Sequence, residues 1–467
     1  MNEFVNPSTG SLSWRICTTP PKGRQLSIPF CFVYNSAGVH HLESNAPGNL
    51  AWNSDASYLE QGGWTYSLPE LSEVIRQDVN GSYVCDYATD YVFRDSEGGR
   101  HAMALSVVGP APNAPSDSCS QTSPARTAVS TGGEGAILAT TAQPAGAFSV
   151  TPVTITDADG TRYIFNDPNK NAGANGFASD LPDVIEDRNG NEIAITDNGD
   201  GDVSVSDTVG RALLATTSFG AGTDSVQLSG QSEPYEVDWG GAAANYTVDA
   251  NVESGACTVP TTISGSQPEV TSITLPDGGE FKFAYDPAYG LLERITFPTG
   301  GYVRYVWGVN AQAEEGTLDA TSGTCSVRYG EPAVTARYVS LDGTNEVLDQ
   351  SLAYSTTWGS GADWTSKTAT LTNADELRGQ NFQTVYAYSG YTVPLQPNDD
   401  TDSTLQIPVE ATITAKDWGG ATLRTAAYTW NNPREPASEE FTESDGEVSE
   451  QTYLYDQNEQ QTEKDEY

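Results

Sequence analysis

Basic residues are scarce in this sequence. Its 467 residues contain 22 Lys and Arg against 63 Asp and Glu, which gives a formal net charge of −41 at pH 7. A field of that sign repels phosphate backbones, so we predict no nucleic-acid partner. Long apolar runs are missing as well. Because the chain has no stretch of about 18 apolar residues, we also predict no membrane span.

Residues that commonly carry catalysis are few. Only three histidines are present, His40, His41 and His101, and no G-x-S-x-G, H-E-x-x-H or P-loop motif occurs. A Ser-His-Asp or Cys-His arrangement remains possible on counts alone. A carboxylate pair for glycoside hydrolysis cannot be picked from 63 acids. We therefore predict a protein that is not an enzyme, with no catalytic, cofactor-binding or metal-binding residue.

The cysteines form no C-x-x-C pair, which argues against a zinc ribbon. Their even number fits an oxidising compartment. Cys17 and Cys31 flank a predicted hairpin, and Cys257 and Cys325 lie in the two predicted loops that flank the clearest repeats. For each pair the sequence leaves two alternatives, a disulfide or free buried thiols. The six cysteines are Cys17, Cys31, Cys85, Cys119, Cys257 and Cys325.

Glycine and proline are plentiful, with 45 and 26 residues, and they mark a repeat. LPDGG at 275–279 returns as FPTGG at 297–301, 22 residues later, and the same shift places Phe283 on Tyr305. Large residues alternate after each turn, as in FKFAY at 281–285, which predicts strands with one bulky face. Repeats of this length predict an array in which neighbouring units bury each other's apolar faces.

These repeats resemble those of the YD-repeat, or rearrangement hot spot (Rhs), proteins. Units of that family begin with Tyr-Asp and soon carry a Gly, as YD at 285–286 with Gly290 does here; YD at 455–456 is a second match. The opening stretch at 5–36, VNPSTGSLSWRICTTPPKGRQLSIPFCFVYNS, is similar to the first segment of their shells. WTYSLPEL and YVFRDSEGGRH follow in the family's usual order. Glu459 departs from the pattern, because it stands where the last unit would carry its Gly.

The resemblance implies an all-β fold in which degenerate YD-type repeats form a spiralling antiparallel β-sheet, the wall or part of the wall of a hollow shell. In relatives such a shell encloses a toxic or otherwise functional C-terminal polypeptide, or forms a surface adhesion module. For this chain it implies a non-catalytic structural role, with the remainder of the shell and its enclosed C-terminal polypeptide as partners. Asp286-Pro287 is similar to the family's aspartate-proline cleavage region, but it lies inside a repeat and reads as a turn.

Shifts in composition divide the chain. Residues 1–109 hold the first strands of the shell, and residues 151–308 are the clearest repeat block. The segment 110–150 is rich in Ser, Thr, Ala, Gly and Pro and is predicted to be a loop or linker. Residues 309–330 are predicted to be an acidic loop, and residues 331–467 return to strands with an acidic tail. Helix signals are poor, and LSEVIRQ at 71–77, within the first block, is the best short candidate.

Other functions stay open at this stage. The chain could be a secreted carbohydrate-binding or adhesive β-protein, with some of its nine Trp and 23 Tyr stacking on sugars of a glycan or cell surface. A polysaccharide-degrading enzyme is a weaker alternative. Residues 1–20 have no apolar signal-peptide core, so we expect a fragment of a longer protein that is secreted or displayed at the cell surface.

One acidic turn has some features of a calcium loop. DRNGN at 187–191 offers oxygen atoms at alternate positions, as such a loop does. Glu192 stands at the sixth position, where the loop needs Gly, and Asn198 stands at the twelfth, where it needs Glu. The three aspartates within 197–202 have the wrong spacing. Hairpin-turn chemistry explains both stretches, so we predict turns there.

Overall fold

The described part of the chain consists almost entirely of β-strands. The computed structural model describes residues 2–467 except 19–25, 27, 47–48, 55–58, 81–82, 97–98, 104, 106, 111–125, 130–136, 142–151, 169–176, 200, 321–322, 360–362, 376–377, 395–403, 434 and 456–460. Within these residues there is no α-helix, and Ser36–Gly38 forms one 3-10 turn. The all-β prediction is therefore confirmed.

The described strands number 36. The first twelve are β1 (Asn2–Val5), β2 (Leu12–Cys17), β3 (Cys31–Asn35), β4 (His41–Ala46), β5 (Asn49–Asn53), β6 (Glu60–Gln61), β7 (Trp64–Tyr66), β8 (Glu70–Asn80), β9 (Tyr83–Arg94), β10 (Arg100–Ala102), β11 (Val107–Pro110) and β12 (Arg126–Val129). The next twelve are β13 (Leu138–Thr141), β14 (Val153–Thr156), β15 (Arg162–Phe165), β16 (Phe177–Asp180), β17 (Val184–Glu186), β18 (Glu192–Asp197), β19 (Val203–Asp207), β20 (Ala212–Thr217), β21 (Thr223–Leu228), β22 (Tyr235–Thr247), β23 (Ala250–Ser254) and β24 (Thr262–Thr274). The last twelve are β25 (Glu280–Tyr285), β26 (Leu292–Thr296), β27 (Tyr302–Ala320), β28 (Gly323–Ser340), β29 (Val347–Trp358), β30 (Trp364–Asp375), β31 (Gln380–Pro394), β32 (Thr404–Lys416), β33 (Thr422–Asn432), β34 (Glu435–Glu443), β35 (Val448–Tyr455) and β36 (Gln461–Glu466).

These strands form four sheets, and the pairings described are antiparallel. The large sheet joins 24 strands from β12 to β36, nearly all in chain order; β16 leaves it to pair with β8. The N-terminal sheet has the order β1-β2-β3-β7-β6, the lateral sheet contains β8 to β11 and β16, and β4 pairs with β5. A sheet that grows strand by strand in this way is the architecture that the turn-and-strand repeat predicts.

Seven tight turns of the large sheet share one backbone geometry. In each, the N–H of the first residue donates to the carbonyl of the fifth, and the N–H of the fourth donates back to the carbonyl of the first. The fourth residue is always a Gly with φ between 77° and 89°, which other residues rarely adopt. This is a type I turn with a G1 bulge, which joins neighbouring strands. The turns are 157–161, 187–191, 207–211, 275–279, 297–301, 417–421 and 443–447.

The opening stretch of the chain contains a second kind of repeat turn. NPSTG at 6–10 and DPAYG at 286–290 have the same pattern, in which the N–H of the closing Gly donates to the carbonyl of the first residue at 2.7 Å in both. The side-chain oxygen of Asn6 accepts from the N–H of Ser8, as that of Asp286 does from the N–H of Ala288. The predicted turn at Asp286-Pro287 is therefore confirmed.

The main hydrophobic core lies between the N-terminal sheet and the large sheet. Trp14 on β2 makes edge contacts with Trp64 on β7 and Phe283 on β25, with ring centroids 6.2 and 5.5 Å apart. Tyr305 on β27 is fully buried in the same cluster. The alternation read from the repeats is confirmed, because Val303, Tyr305 and Trp307 are all buried in this core, which also includes Phe283 and, partly buried, Phe281 and Tyr285.

Two disulfides connect elements of the fold. Cys17 and Cys31 lie directly opposite each other on β2 and β3 and are bonded. Cys257 is bonded to Cys325 on β28, which is buried beside Leu50. Of the two alternatives, both pairs are therefore disulfides and not free thiols. The side chain of Cys85, and Cys119 as a whole, lie outside the described residues.

Three expectations differ from the structure. The predicted acidic loop at 309–330 is instead occupied by the long arms of β27 and β28, because these arms pair with each other and β28 also pairs with β23. The helix candidate at 71–77 belongs to β8, which pairs with both β9 and β16. Within 110–150 the structure describes β12 and β13, which pair with each other, and the end of β11; the remainder of that predicted linker lies outside the described residues.

Candidate functional site

The turn with calcium-loop features is held by its own side chains. Asp187 Oδ1 accepts the N–H groups of Asn189 and Asn191, at 2.8 and 2.9 Å, and Oδ2 accepts from both of their side-chain amides. Those hydrogen bonds, led by the one from the Asn191 side chain, lower the pKa of Asp187 to about 2. The carboxylate therefore holds the turn together through hydrogen bonds within it, as predicted. Asp197 Oδ1 similarly accepts the N–H of Gly199, and Asp200 lies outside the described residues.

The two described histidine side chains connect strands and turns. His40 lies 2.8 Å, through Nε2, from the carbonyl oxygen of Tyr289. His101 lies 2.9 Å, through Nε2, from Asp95 Oδ2, and its ring stacks on Phe93. The side chain of His41 lies outside the described residues. Neither described contact joins a histidine to a serine or cysteine nucleophile.

Four aspartates surround a small cavity beside β16. Its volume of about 30 Å³ has room for roughly one water molecule. Asp183 accepts the N–H of Asn166 and therefore serves the local backbone. In the described part of the chain, no three His, Cys, Asp or Glu side chains are arranged to hold a metal ion. The cavity is lined by Asp167, Asp180, Leu181, Pro182, Asp183, Ile195 and Asp197.

Sequence reasoning missed three buried carboxyl groups. Burial raises the pKa of Glu73 on β8 to about 8 and that of Glu269 on β24 well above its usual range. Asp224 on β21 is fully buried and accepts hydrogen bonds from Ser218, Gly220 and Trp239. Nothing local distinguishes these three from the other 60 acidic residues of the chain, because their burial depends on distant strands.

A row of mostly apolar side chains crosses the later strands of the large sheet. Residues directly opposite each other on paired strands share a face, so the register defines the row. It starts at Tyr354, which packs against the main core and donates its hydroxyl to the carbonyl of Val334 at 2.6 Å. We call this series the aromatic row; it comprises Tyr354, Ala369, Tyr386, Ile413, Ala426 and Phe441.

The opposite face of the same strands has a different chemistry. Its corresponding row is mostly threonine, and the hydroxyl oxygens of Thr414 and Thr425 lie 3.4 Å apart. Polar β-branched side chains of this kind suit a solvated sheet face. The sheet therefore has an apolar side and a polar side here. The polar row comprises Thr370, Val385, Thr414, Thr425, Thr442 and Val448.

The aromatic row leaves the core as it crosses the sheet. Among the described residues, the hydrophobic clusters reach Leu371 on β30 and include no residue of β31 to β36. Tyr386 and Phe441 are only partly buried, and Arg424 covers the Phe441 ring at 4.0 Å. Ala426, within the row, and the neighbouring Tyr388 are nevertheless buried, so this face is covered in places. A partly exposed apolar sheet face that extends beyond the described hydrophobic clusters is a surface on which another polypeptide can pack. We take this surface as the candidate functional site.

Comparisons with known proteins found only weak similarity. No protein-family model matches the sequence, and no curated protein matches it. A solved structure of a Photorhabdus luminescens Tc holotoxin pore with a TccC3 mutation aligns with 100% of this chain and 24% of its own, at 10% identity and a TM-score of 0.25. Two crystal structures of TcdB2-TccC3 align with 83% and 96% of this chain and 22% and 27% of theirs, at 9% identity and TM-scores of 0.17 and 0.14.

The chain thus spans about a quarter of the length of these solved chains. TM-scores below 0.5 do not establish a common fold. In the described part of the chain, no helix is long and apolar enough to cross a membrane.

Proposed function

We propose that this chain is a non-catalytic wall segment of an Rhs/YD-type β-shell, and that the wall encloses or scaffolds a polypeptide. The observation that carries the proposal is the aromatic row, which begins in the core and continues across β31 to β34, beyond the hydrophobic clusters of the described residues. A polypeptide packed on that face would bury Tyr386, Ile413 and Phe441, while the threonine row would stay in water.

Other features support a wall. The strands from β24 to β36 follow one another through the sheet, apart from the β23–β28 contact, and the same glycine turn recurs along it. The N-terminal sheet covers the main core, and the aromatic row starts beside that core at Tyr354. The two disulfides fit a protein that acts in an oxidising environment, so we propose a secreted or cell-surface location.

Site-specific photo-cross-linking tests the proposal. Benzoylphenylalanine would replace Tyr386 or Phe441 on the aromatic row and, as matched controls, Thr414 or Thr425 on the opposite face. The protein would be expressed from its complete natural gene and irradiated after purification. We expect cross-links to an enclosed polypeptide of the same assembly from the row positions only. Equal cross-linking from both faces, or none from the row, would contradict the proposal.

One observation favours carbohydrate binding as a second candidate. Trp418, in the turn between β32 and β33, is 62% exposed and lies beside the exposed Phe382 with ring centroids 6.2 Å apart. An exposed indole of this kind can stack on a sugar ring. Glycan-array binding that is lost in Trp418→Ala and kept in Leu341→Ala, a control at the 91% exposed Leu341, would support this candidate. Absence of binding to every glycan would count against it.

A further inference from the structure

One ionisable side chain is buried where the N-terminal sheet meets the large sheet. Glu269 on β24 has no solvent exposure. Its Oε1 accepts a hydrogen bond from the Gln267 side chain at 2.7 Å, whereas Oε2 has no hydrogen-bond partner among the described atoms. The adjacent donors are already used: Trp64 Nε1–H donates to the Tyr285 hydroxyl at 2.8 Å, and that hydroxyl donates to the Val270 carbonyl at 2.6 Å. Each has only one hydrogen to give.

The N-terminal sheet closes over this carboxyl group. Gly62, in the turn between β6 and β7, has a φ of +59°. A Cβ there would lie 2.2 Å from the Pro268 carbonyl oxygen and 2.9 Å from Glu269 Cδ, so the turn is seated directly on the carboxyl group. Tyr34 on β3 approaches from the same sheet, and its hydroxyl accepts the N–H of Leu292 at 3.0 Å.

In the part of the chain that the structure describes, the groups that act on Glu269 include no compensating charge. Among the described residues, the groups that act on it are Gln267 on its own strand, Tyr285 on β25, Trp64 on β7 and Tyr34 on β3. The two tyrosines are the titratable groups in this set, and burial raises the pKa of both well above the usual range, so both are neutral. An ionised carboxylate here would be buried without a cation, which is strongly unfavourable.

We propose that Glu269 makes the contact between the N-terminal sheet and the large sheet dependent on pH: the two sheets stay together while its carboxyl group is protonated and separate when it ionises. Separation exposes the carboxyl group to water, where a glutamate ionises near pH 4.3. In the closed contact, burial raises the pKa of Glu269, and the smaller opposing effects come from Gln267, Tyr285 and Trp64.

The direction of the pH effect follows from proton binding. Between about pH 4.3 and the raised pKa, the closed form holds one proton more than the separated form. Separation then releases one proton, so its equilibrium constant rises by up to tenfold per pH unit as the pH increases. Acidification strengthens the contact, and alkaline conditions weaken it. The inference goes beyond the proposed function, since it holds whatever the wall encloses.

Hydrogen–deuterium exchange of the whole chain tests this inference. Protection factors, corrected for the intrinsic effect of pH on exchange, would be measured between pH 5 and pH 9 for the wild type, Glu269→Gln and Glu236→Gln. Gln keeps the shape of Glu but does not ionise, and Glu236 is an exposed residue on the neighbouring β22. Peptides that cover β3 and β7 report on the contact, and peptides that cover β30 serve as an internal reference.

In the wild type and Glu236→Gln, we expect the protection of β3 and β7 to fall at least tenfold over this range, while that of β30 changes less than twofold. In Glu269→Gln, the protection of β3 and β7 should fall less than twofold over the same pH range. The inference would be overturned if the protection of β3 and β7 depended on pH equally in the wild type and Glu269→Gln. Equal loss of protection in β7 and β30 would overturn it as well. Should Glu269→Gln not fold, the wild type still decides, because flat protection of β3 and β7 would overturn it equally.

Discussion

Phe283 shows how much one aromatic residue contributes to the main core. Its side chain is 7% exposed and contacts the rings of Trp14 and Trp64 at centroid distances of 5.5 and 4.8 Å. Replacement by Ala would remove those contacts and leave a cavity, so we expect the free energy of unfolding to fall by about 3–5 kcal/mol. Denaturant unfolding measures it. Phe4→Ala is the matched control, because Phe4 is 58% exposed and should change stability by less than about 0.5 kcal/mol. A change below about 1 kcal/mol for Phe283→Ala would mean that this face is not buried.

Asp187 illustrates a residue that acts through its charge rather than through burial. Its pKa of about 2 in the folded chain lies below the ~3.9 of an unfolded aspartate. Its stabilising contribution is therefore complete above about pH 4 and is lost as the pH falls towards 2. We expect Asp187→Ala to melt at a lower temperature than the wild type at pH 6 and at nearly the same temperature at pH 2.

The control for this pH comparison is Asp363→Ala, at an exposed position before β30. It should follow the wild type at both pH values. A constant difference between wild type and Asp187→Ala from pH 6 to pH 2 would show that the carboxylate charge plays no part in the turn.

At the scale of elements, the two disulfides should contribute different amounts to the free energy of unfolding, because they close loops of different length. Cys257 and Cys325 are 68 residues apart, whereas Cys17 and Cys31 are 14 apart. In the chain-entropy account, the longer loop gains more stability, roughly 4 kcal/mol against 3. Serine substitution of both cysteines in each pair, followed by denaturant unfolding, should show the larger loss for the 257–325 pair. A larger loss for the 17–31 pair would contradict this expectation.

Elements governed by local chemistry were predictable from the sequence, and those governed by distant pairing were not. A Gly in the left-handed region is specified by the turn itself, so LPDGG and FPTGG were identified with their flanking strands. The arms of β27 and β28 within 309–330 depend on β23 and on the bond to Cys257, which no local pattern records. LSEVIRQ has helix-like apolar spacing at Leu71, Val74 and Ile75, but the hydrogen bonds of β9 and β16 override it.

The candidate functional surface was likewise predictable only in part. The alternation of large residues along the strands indicated that each strand has an aromatic side. It could not show at which strand that side leaves the main core. Glu269 carries no sequence signal at all, because its burial comes from β3 and from the turn between β6 and β7, about 200 residues earlier in the chain.

At the scale of the whole molecule, β36 is one of the two edge strands of the large sheet in the described part of the chain, with β12 at the opposite edge. Such an edge can pair with another chain, and charged side chains oppose that pairing. Replacing Glu463 and Asp465 with Thr should therefore increase self-association at micromolar concentration, as measured by light scattering.

The matched control replaces Glu440 and Glu450, which lie directly opposite each other on β34 and β35, inside the sheet. Their replacement with Thr removes as much charge without uncovering an edge, and it also relieves a like-charge pair. Equal self-association of the two double variants would attribute the effect to net charge rather than to β36.

The order of strands in the large sheet has a consequence for synthesis on the ribosome. Most neighbouring strands of the large sheet leave the ribosome in succession, so each finds its partner soon after translation. The N-terminal sheet does not: Tyr34 meets the N–H of Leu292 across 258 residues, and Glu3 meets Arg337 across 334. At ~5–20 residues per second, Tyr34 waits on the order of 10–50 s for its partner. The bond between Cys17 and Cys31 can close within the first 31 residues, and in an oxidising compartment it would hold β2 and β3 together during that interval.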